Sequence, residues 1–209
     1  MPDLLWTKAH AEATAEALGH LPPGIGVPPG SRVPNFRLPR VGSEQLGARE
    51  FDFHRELLGQ PLLVVFYRGG WCPFCNFQVR ELTTNYDAIL EHGAMPIVIS
   101  VDRPEVAELT RAEYAIPFAV LSDPTLLAHR AFRVTQHVSD FDVERLRKKG
   151  MDLERSSGRT HHEIAVPSVF VVGTDQRVRW AHADLNHRVR PSVEQLLDVL
   201  KRLFGGSPA

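Results

Sequence analysis

Apolar positions along this chain alternate between two rhythms. Pro61 to Phe66 is an unbroken apolar run with β-branched residues at its centre, which predicts a buried strand. Met95 to Val101 and Phe118 to Leu121 repeat the pattern, and so does Val166 to Val172. Between these runs the spacing becomes helical. Phe77, Leu82, Tyr86, Ile89 and Leu90 fall on one face of a helix that starts near Cys72. Pro104 to Tyr114 is amphipathic and is opened by Asp102, and Asp123 is placed to cap a helix reaching about Arg130. Pro191 to Phe204 carries Val193, Leu196, Leu197, Leu200 and Leu203 on one side. Gly173-Thr174-Asp175-Gln176 forms a turn from Val166–Val172 into Arg177–Ala183, an antiparallel hairpin. Strands alternating with helices in this order predict an α/β sheet with parallel crossovers.

The flanks are less regular. Asp3 to Leu18 reads as an Ala- and Glu-rich helix whose thin apolar face packs on something else. Leu21 to Gly30 is too rich in Pro and Gly for helix or central strand and leads into the main fold. Pro34 to Leu38 alternates as an edge strand, Arg49 to Phe53 is a second extended piece, and His54 to Leu58 is a helical turn. Polar sequence from Ala131 to Glu163 interrupts the rhythm, with a helix over Asp140–Lys149 and a loop over Arg155–Thr160. Arg145, Arg147, Lys148 and Lys149 read as a solvated helix face. The expected division is residues 1–30 as helix and lead-in, then 31–209 as the domain proper.

With 209 residues the chain is long enough for one domain with a substantial core. A formal net charge of −1, with both signs interspersed, gives no footprint for nucleic acid or anionic lipid. No apolar run approaches the roughly 20 residues that cross a bilayer. Met1 to Lys8 lacks the basic and apolar regions of a secretory signal, so a cytoplasmic location is expected.

That location changes the reading of the only two cysteines, Cys72 and Cys75. In a reducing compartment a lone C-x-x-C points to a catalytic disulfide. Pro73 suits the first helical position, which makes Cys72 the N-cap and puts Cys75 one turn in on the same side. Backbone N–H groups and the helix dipole at the N-cap favour a thiolate, and Arg68 adds positive charge. A zinc site would need four ligands, and no second C-x-x-C exists. His161-His162 are adjacent in sequence and ill-placed to share a metal. Buried inert thiols are disfavoured by the position after Gly69-Gly70, and a disulfide closing so short a loop stabilises little. Redox cycling of the pair is the reading that remains. No phosphate-cradling glycine motif or other cofactor signature is present.

The order of elements is that of the thioredoxin fold, and Pro34-Asn35-Phe36-Arg37-Leu38 with Phe66-Tyr67-Arg68-Gly69-Gly70-Trp71-Cys72-Pro73-Phe74-Cys75-Asn76 is more specific. Together with the Val166-Pro167 hairpin, Ala181-His182-Ala183-Asp184 and Arg190-Pro191-Ser192-Val193-Glu194, these resemble the peroxiredoxin-like branch of the alkyl hydroperoxide reductase/thiol-specific antioxidant superfamily over roughly residues 31–204. The resemblance implies a central mixed sheet flanked by helices, with an N-terminal extension and a long insertion before a cis-proline strand. It implies a thiol-dependent antioxidant enzyme that reduces hydroperoxides, drawing electrons from a thioredoxin- or glutathione-type thiol, and a homodimer. In the thioredoxin register Cys72 is the nucleophile and Cys75 resolves. In the peroxiredoxin register Cys75 is peroxidatic and Cys72 takes the place of an active-site Thr. Two departures stand out: Arg68 replaces a family Pro, and the family's distant active-site Arg falls at or near Pro167. Pro167 itself resembles the thioredoxin-type cis-proline facing the disulfide. Tyr67, Arg68, Trp71 and Pro167 are therefore the expected substrate-binding residues. Rival readings keep the pair but make the chain a protein disulfide reductase, or a non-enzymatic redox sensor.

Overall fold

The computed structural model describes residues 19–42 and 50–205; the helix expected over Asp3–Leu18 lies outside them. A short antiparallel ribbon comes first, β1 (Arg37–Pro39) against β2 (Glu50–Asp52), followed by a helical turn, α1 (Phe53–Leu57). The central sheet is built around β3 (Leu62–Phe66). On one side lie β4 (Met95–Ser100) and β5 (Ala119–Ser122), parallel to it, with α2 (Pro73–Thr84) and α3 (Tyr86–Glu91) crossing from β3 to β4 and α4 (Pro104–Glu113) from β4 to β5. After α5 (Leu127–Ala131) and an insertion, β8 (Ser168–Val172) pairs antiparallel with the other side of β3, and β9 (Val178–Ala183) pairs antiparallel with β8. The order is β5-β4-β3-β8-β9, and α8 (Val193–Phe204) closes the chain. This is the mixed, helix-flanked sheet of the thioredoxin fold.

Every residue of β3 is buried because its two faces meet two cores. Leu62, Val64 and Phe66 point to one, with Phe36, Phe53, Phe132 and Phe170. Leu63, Val65 and Tyr67 point to the other, with Val79 and Leu82 of α2, Ile89 of α3, and Leu196 and Leu200 of α8. Period-2 alternation through a strand covered on both sides leaves no polar position, which is why the run reads as continuously apolar. The second core carries both cysteines at its edge.

Several sequence expectations shift. The inward face of α2 is Cys75, Gln78, Val79 and Leu82, spaced i, i+3, i+4, i+7, whereas Phe77 is 39% exposed. The helix also ends at Asn85, and Tyr86–Glu91 is a separate element. Asp102 does not cap α4: Arg103 occupies the N-cap, and Asp102 turns inward. Asp123 does reach its helix, accepting from Leu127 N–H at 2.8 Å and His129 N–H at 3.0 Å. The insertion is more ordered than its polarity implies. It forms β6 (Thr135–His137), α6 (Asp140–Lys148), α7 (Leu153–Ser157) and β7 (Glu163–Ala165), with β6 pairing β7. Asp152 and Gly158 cap α7 where a loop was expected. Val138, Val143, Leu153 and Ile164 form a small third core that packs against Trp71, so the insertion buttresses the cysteine loop.

Candidate active site

Cys72 is the N-cap of α2 with extended backbone (φ −97°, ψ 112°), and Pro73 follows it as the first helical residue. Its carbonyl accepts from the N–H groups of Cys75 and Asn76, both at 3.0 Å, which places the two side chains on one side of the helix start. The Cys72 anion is stabilised chiefly by side chains. The Cys75 S–H donates to it first, the Arg68 and Arg190 guanidiniums add positive potential, and the Cys75 backbone N–H contributes least; against burial, these bring Cys72 down to about 6. Cys75 goes the other way, pushed up chiefly by burial and then by having given its proton's hydrogen bond to Cys72. Both are free thiols, close together and sharing a hydrogen bond.

Cations meet both sulfurs. Arg68 Nη1 lies 4.0 Å from Cys72 Sγ, with its guanidinium 4.8 Å above the Trp71 ring. The Arg68 backbone N–H donates to Cys75 Sγ at 3.4 Å, and Arg190 Nη2 donates to the same sulfur at 3.2 Å. Arg190 is 2% exposed, and its other bond, 2.6 Å, goes to Gln78 Oε1 one turn beyond Cys75 on α2. A guanidinium stays protonated in a protein, and a buried one needs an anion or strong acceptors around it. Arg190 makes no ion pair with a carboxylate among the described residues, so the sulfur pair is its nearest candidate counter-ion.

Arg190 is the residue that sequence reasoning missed. The family's arginine was placed at or near Pro167; the guanidinium that reaches the sulfurs comes from the β9–α8 connection. Its signal was present in Arg190-Pro191-Ser192, where Ser192 caps α8 through a capping box with Gln195 and fixes the residue two positions earlier. Pro167 is corrected in a second respect, since no peptide bond among the described residues is cis. Its carbonyl accepts from Asp184 N–H at 3.3 Å, and the preceding Val166 N–H donates to Val134 O at 2.7 Å. The backbone that would pair with an incoming peptide is thus already bonded.

Of the other expected residues, Arg68 and Trp71 flank Cys72, whereas Tyr67 is fully buried with its hydroxyl beside Ser100 and Asp102. Burial, then the Asp102 charge, pushes the Tyr67 phenol well above its ordinary range. Asp102 ties down the loop that carries the pair: Oδ2 accepts from Gly70 N–H at 2.9 Å and Ser100 Oγ at 3.0 Å. Burial raises its carboxyl to about 6. The sulfurs are covered more closely than expected, Cys72 being 2% exposed and Cys75 fully buried. A groove of about 130 Å³ lies between α2 and α8, lined by Gln78 and Arg190 with the acids Glu81 and Glu194 and the apolar side chains Phe77, Leu82, Val193 and Leu196 among others.

A dithiol at the N-terminus of the first crossover helix of a thioredoxin-type sheet defines a thiol-redox protein by class. The family is narrower. Residues 29–181 match the AhpC/TSA family, and the chain belongs to it. A chloroplastic peroxiredoxin Q of Gentiana triflora is 30% identical over 94 residues, 45% of this chain and 41% of that protein. The matched segment thus spans about two fifths of the curated relative's length. Solved structures share the fold: peroxidoxin BcpB of Mycobacterium tuberculosis superposes with a TM-score of 0.62 at 17% identity, covering 86% of this chain and 98% of that one. Reduced Prx3 of Vibrio vulnificus, solved with hydrogen peroxide, gives 0.66 at 11% identity, covering 85% and 98%. No helix among the described residues is long and apolar enough to cross a membrane.

Proposed function

We propose that the chain is a thiol-dependent hydroperoxide reductase working through Cys72 and Cys75. The observation that carries this reading is the buried Arg190 guanidinium set against the sulfur pair. The pair carries one negative charge, resting on Cys72 because Cys75 donates to it. The Cys72 thiolate attacks the terminal oxygen of the hydroperoxide. The O–O bond breaks, Cys72 becomes a sulfenic acid, and the departing alkoxide takes a proton and leaves as alcohol. Arg68 and Arg190 supply donors where charge develops on that oxygen, a kind of contact worth about 3 kcal/mol in the barrier. The Cys75 thiol then attacks the sulfenic sulfur, its proton leaving with the hydroxide as water, and a disulfide forms. An external thiol of thioredoxin or glutathione type regenerates the pair by exchange. We place this cycle in a reducing compartment, the cytoplasm, with a homodimer as the working unit.

The reverse order, with Cys75 attacking, is supported by the Arg190 contact at 3.2 Å, which falls on Cys75. The protein disulfide reductase reading loses support from the occupied backbone at Val166 and Pro167 and from the covered sulfurs.

Peroxide consumption with a dithiol donor tests the proposal, using Cys72→Ser and Cys75→Ser. Both variants should turn over more slowly than wild type with the donor, and without any donor Cys75→Ser should still consume one equivalent of hydroperoxide and stop at the sulfenic acid. A single equivalent consumed by Cys72→Ser instead establishes the reverse order. If neither substitution alters peroxide decay, or if insulin disulfides are reduced while hydroperoxide is untouched, the proposal fails.

A further inference from the structure

Three arginines converge on the mouth of the site, one of them where the resembling family carries proline. Arg68 lies over Trp71 beside Cys72, and Arg190 sits beneath on Cys75. Arg188, exposed, lies 5.5 Å above the Phe74 ring, and its charge reaches the same His187 as those of Arg68 and Arg190. His187 stacks edge-on against the same ring at 5.4 Å. None of the three arginines forms an ion pair with a carboxylate among the described residues, so their charge near the sulfurs is not offset by an adjacent acid. The whole chain has a net charge of −1, so this concentration of positive charge is local. His187 records the same field. Burial first, then Arg68, Arg188 and Arg190, hold its imidazole down at about 4, so the ring is neutral beside the three cations.

Two of these cations serve the sulfurs directly, and Arg188 does not. It stands one aromatic ring further out, where a substrate's distal end would lie once its reacting oxygens reach the pair. We infer that the site selects hydroperoxides that carry an anionic group, with the peroxide at Cys72/Cys75 and the carboxylate held by Arg188. This rests on the hydroperoxide reductase reading. The bond changes are those already given: the O–O bond is cleaved, the hydroperoxide leaves as the corresponding hydroxy acid, and the two thiols supply both electrons. A covered site favours a slim oxidant over a bulky thiol as the ligand of this cluster. A fixed cluster of like charge at a low-dielectric mouth raises the capture rate of an oppositely charged ligand by about tenfold or more, and salt weakens it.

The probes are a tertiary alkyl hydroperoxide bearing a carboxylate on a two-carbon arm and the methyl ester of the same molecule. Wild type should show kcat/KM about tenfold higher for the acid than for the ester at low salt, the ratio shrinking as salt is added. Arg188→Gln should bring that ratio close to one, and Arg188→Lys should keep most of it; both changes are at an exposed position. Equal rates for acid and ester in wild type overturn this inference and leave the hydroperoxide reductase reading intact. If neither compound is reduced, that reading itself has failed. If Arg188→Gln leaves the acid-to-ester ratio unchanged but raises the KM of an anionic thiol donor such as glutathione, the cluster serves the reductant and the inference is overturned.

Discussion

Arg190 and Cys75 stand 115 positions apart in sequence and 3.2 Å apart in space, Nη2 to Sγ. Removing the guanidinium takes a donor from the sulfur pair and leaves Gln78 Oε1 without its 2.6 Å bond. Arg190→Met is expected to lower kcat/KM for hydroperoxide by roughly a hundredfold or more. Arg190→Lys keeps the charge but not the two-pronged geometry, and should recover only part of it. Stopped-flow peroxide reduction measures both. Equal activity in wild type and Arg190→Met would remove the arginine from the chemistry.

The thiolate on Cys72 makes a spectroscopic prediction. Its pKa is brought to about 6 by the Cys75 hydrogen bond and the two arginines. The fraction ionised rises with pH, so ultraviolet thiolate absorbance should show a one-sulfur step centred near pH 6, with the second sulfur ionising far higher. Cys75→Ser still offers Cys72 a donor and should keep the step, whereas Cys75→Ala should move it upward. A first step no lower than about pH 8 would mean the pair behaves as ordinary thiols.

Asp102 links pH to stability. Burial raises its carboxyl to about 6, partly offset by the Gly70 N–H and the Ser100 hydroxyl. The folded state keeps a proton that the unfolded chain releases from about pH 4 upward. Folding stability therefore falls as pH rises from about 4 to 6, by up to about 3 kcal/mol at this site. Asp102→Asn retains an oxygen for Gly70 N–H but does not titrate. Urea denaturation across this pH range should give curves that diverge as pH rises, with the variant gaining relative to wild type. Parallel curves would show that Asp102 carries no such penalty.

The sulfur pair and its helix were legible because proline at the first helical position and a strand before it are local signals. So were the sheet and the last helix, whose apolar positions repeat with fixed periods. What escaped was set by distance in sequence. Arg190 and Asp102 matter through contacts with Cys75 and Gly70, which no periodicity encodes. The face of α2 was misphased because Phe77 looks like core by type, yet it lies exposed along the α2–α8 groove. In the insertion the Asp140–Lys149 helix was legible, but α7 and the β6–β7 ribbon were not, because their core is small and scattered, four apolar residues across a polar stretch, which becomes visible only when Trp71 packs against it.

Gly69 tests how tightly the cysteine loop is packed. Its φ is 140°, and a Cβ there would lie 2.5 Å from Trp71 Nε1 and 2.9 Å from Asp102 Oδ1. Any side chain strains the backbone and forces the indole or the buried carboxyl to move. Gly69→Ala should cost about 1–3 kcal/mol from backbone strain alone, lowering Tm by roughly 2–12 °C. The indole is the freer of the two neighbours, because Asp102 is held by Gly70 and Ser100. Trp71 should therefore swing away from Arg68 and uncover Cys72, so that iodoacetamide modifies the variant faster than wild type at the same pH. A lower Tm with unchanged alkylation would mean that Trp71 does not cover the sulfur. An unchanged Tm would mean that the loop has room which this packing denies it.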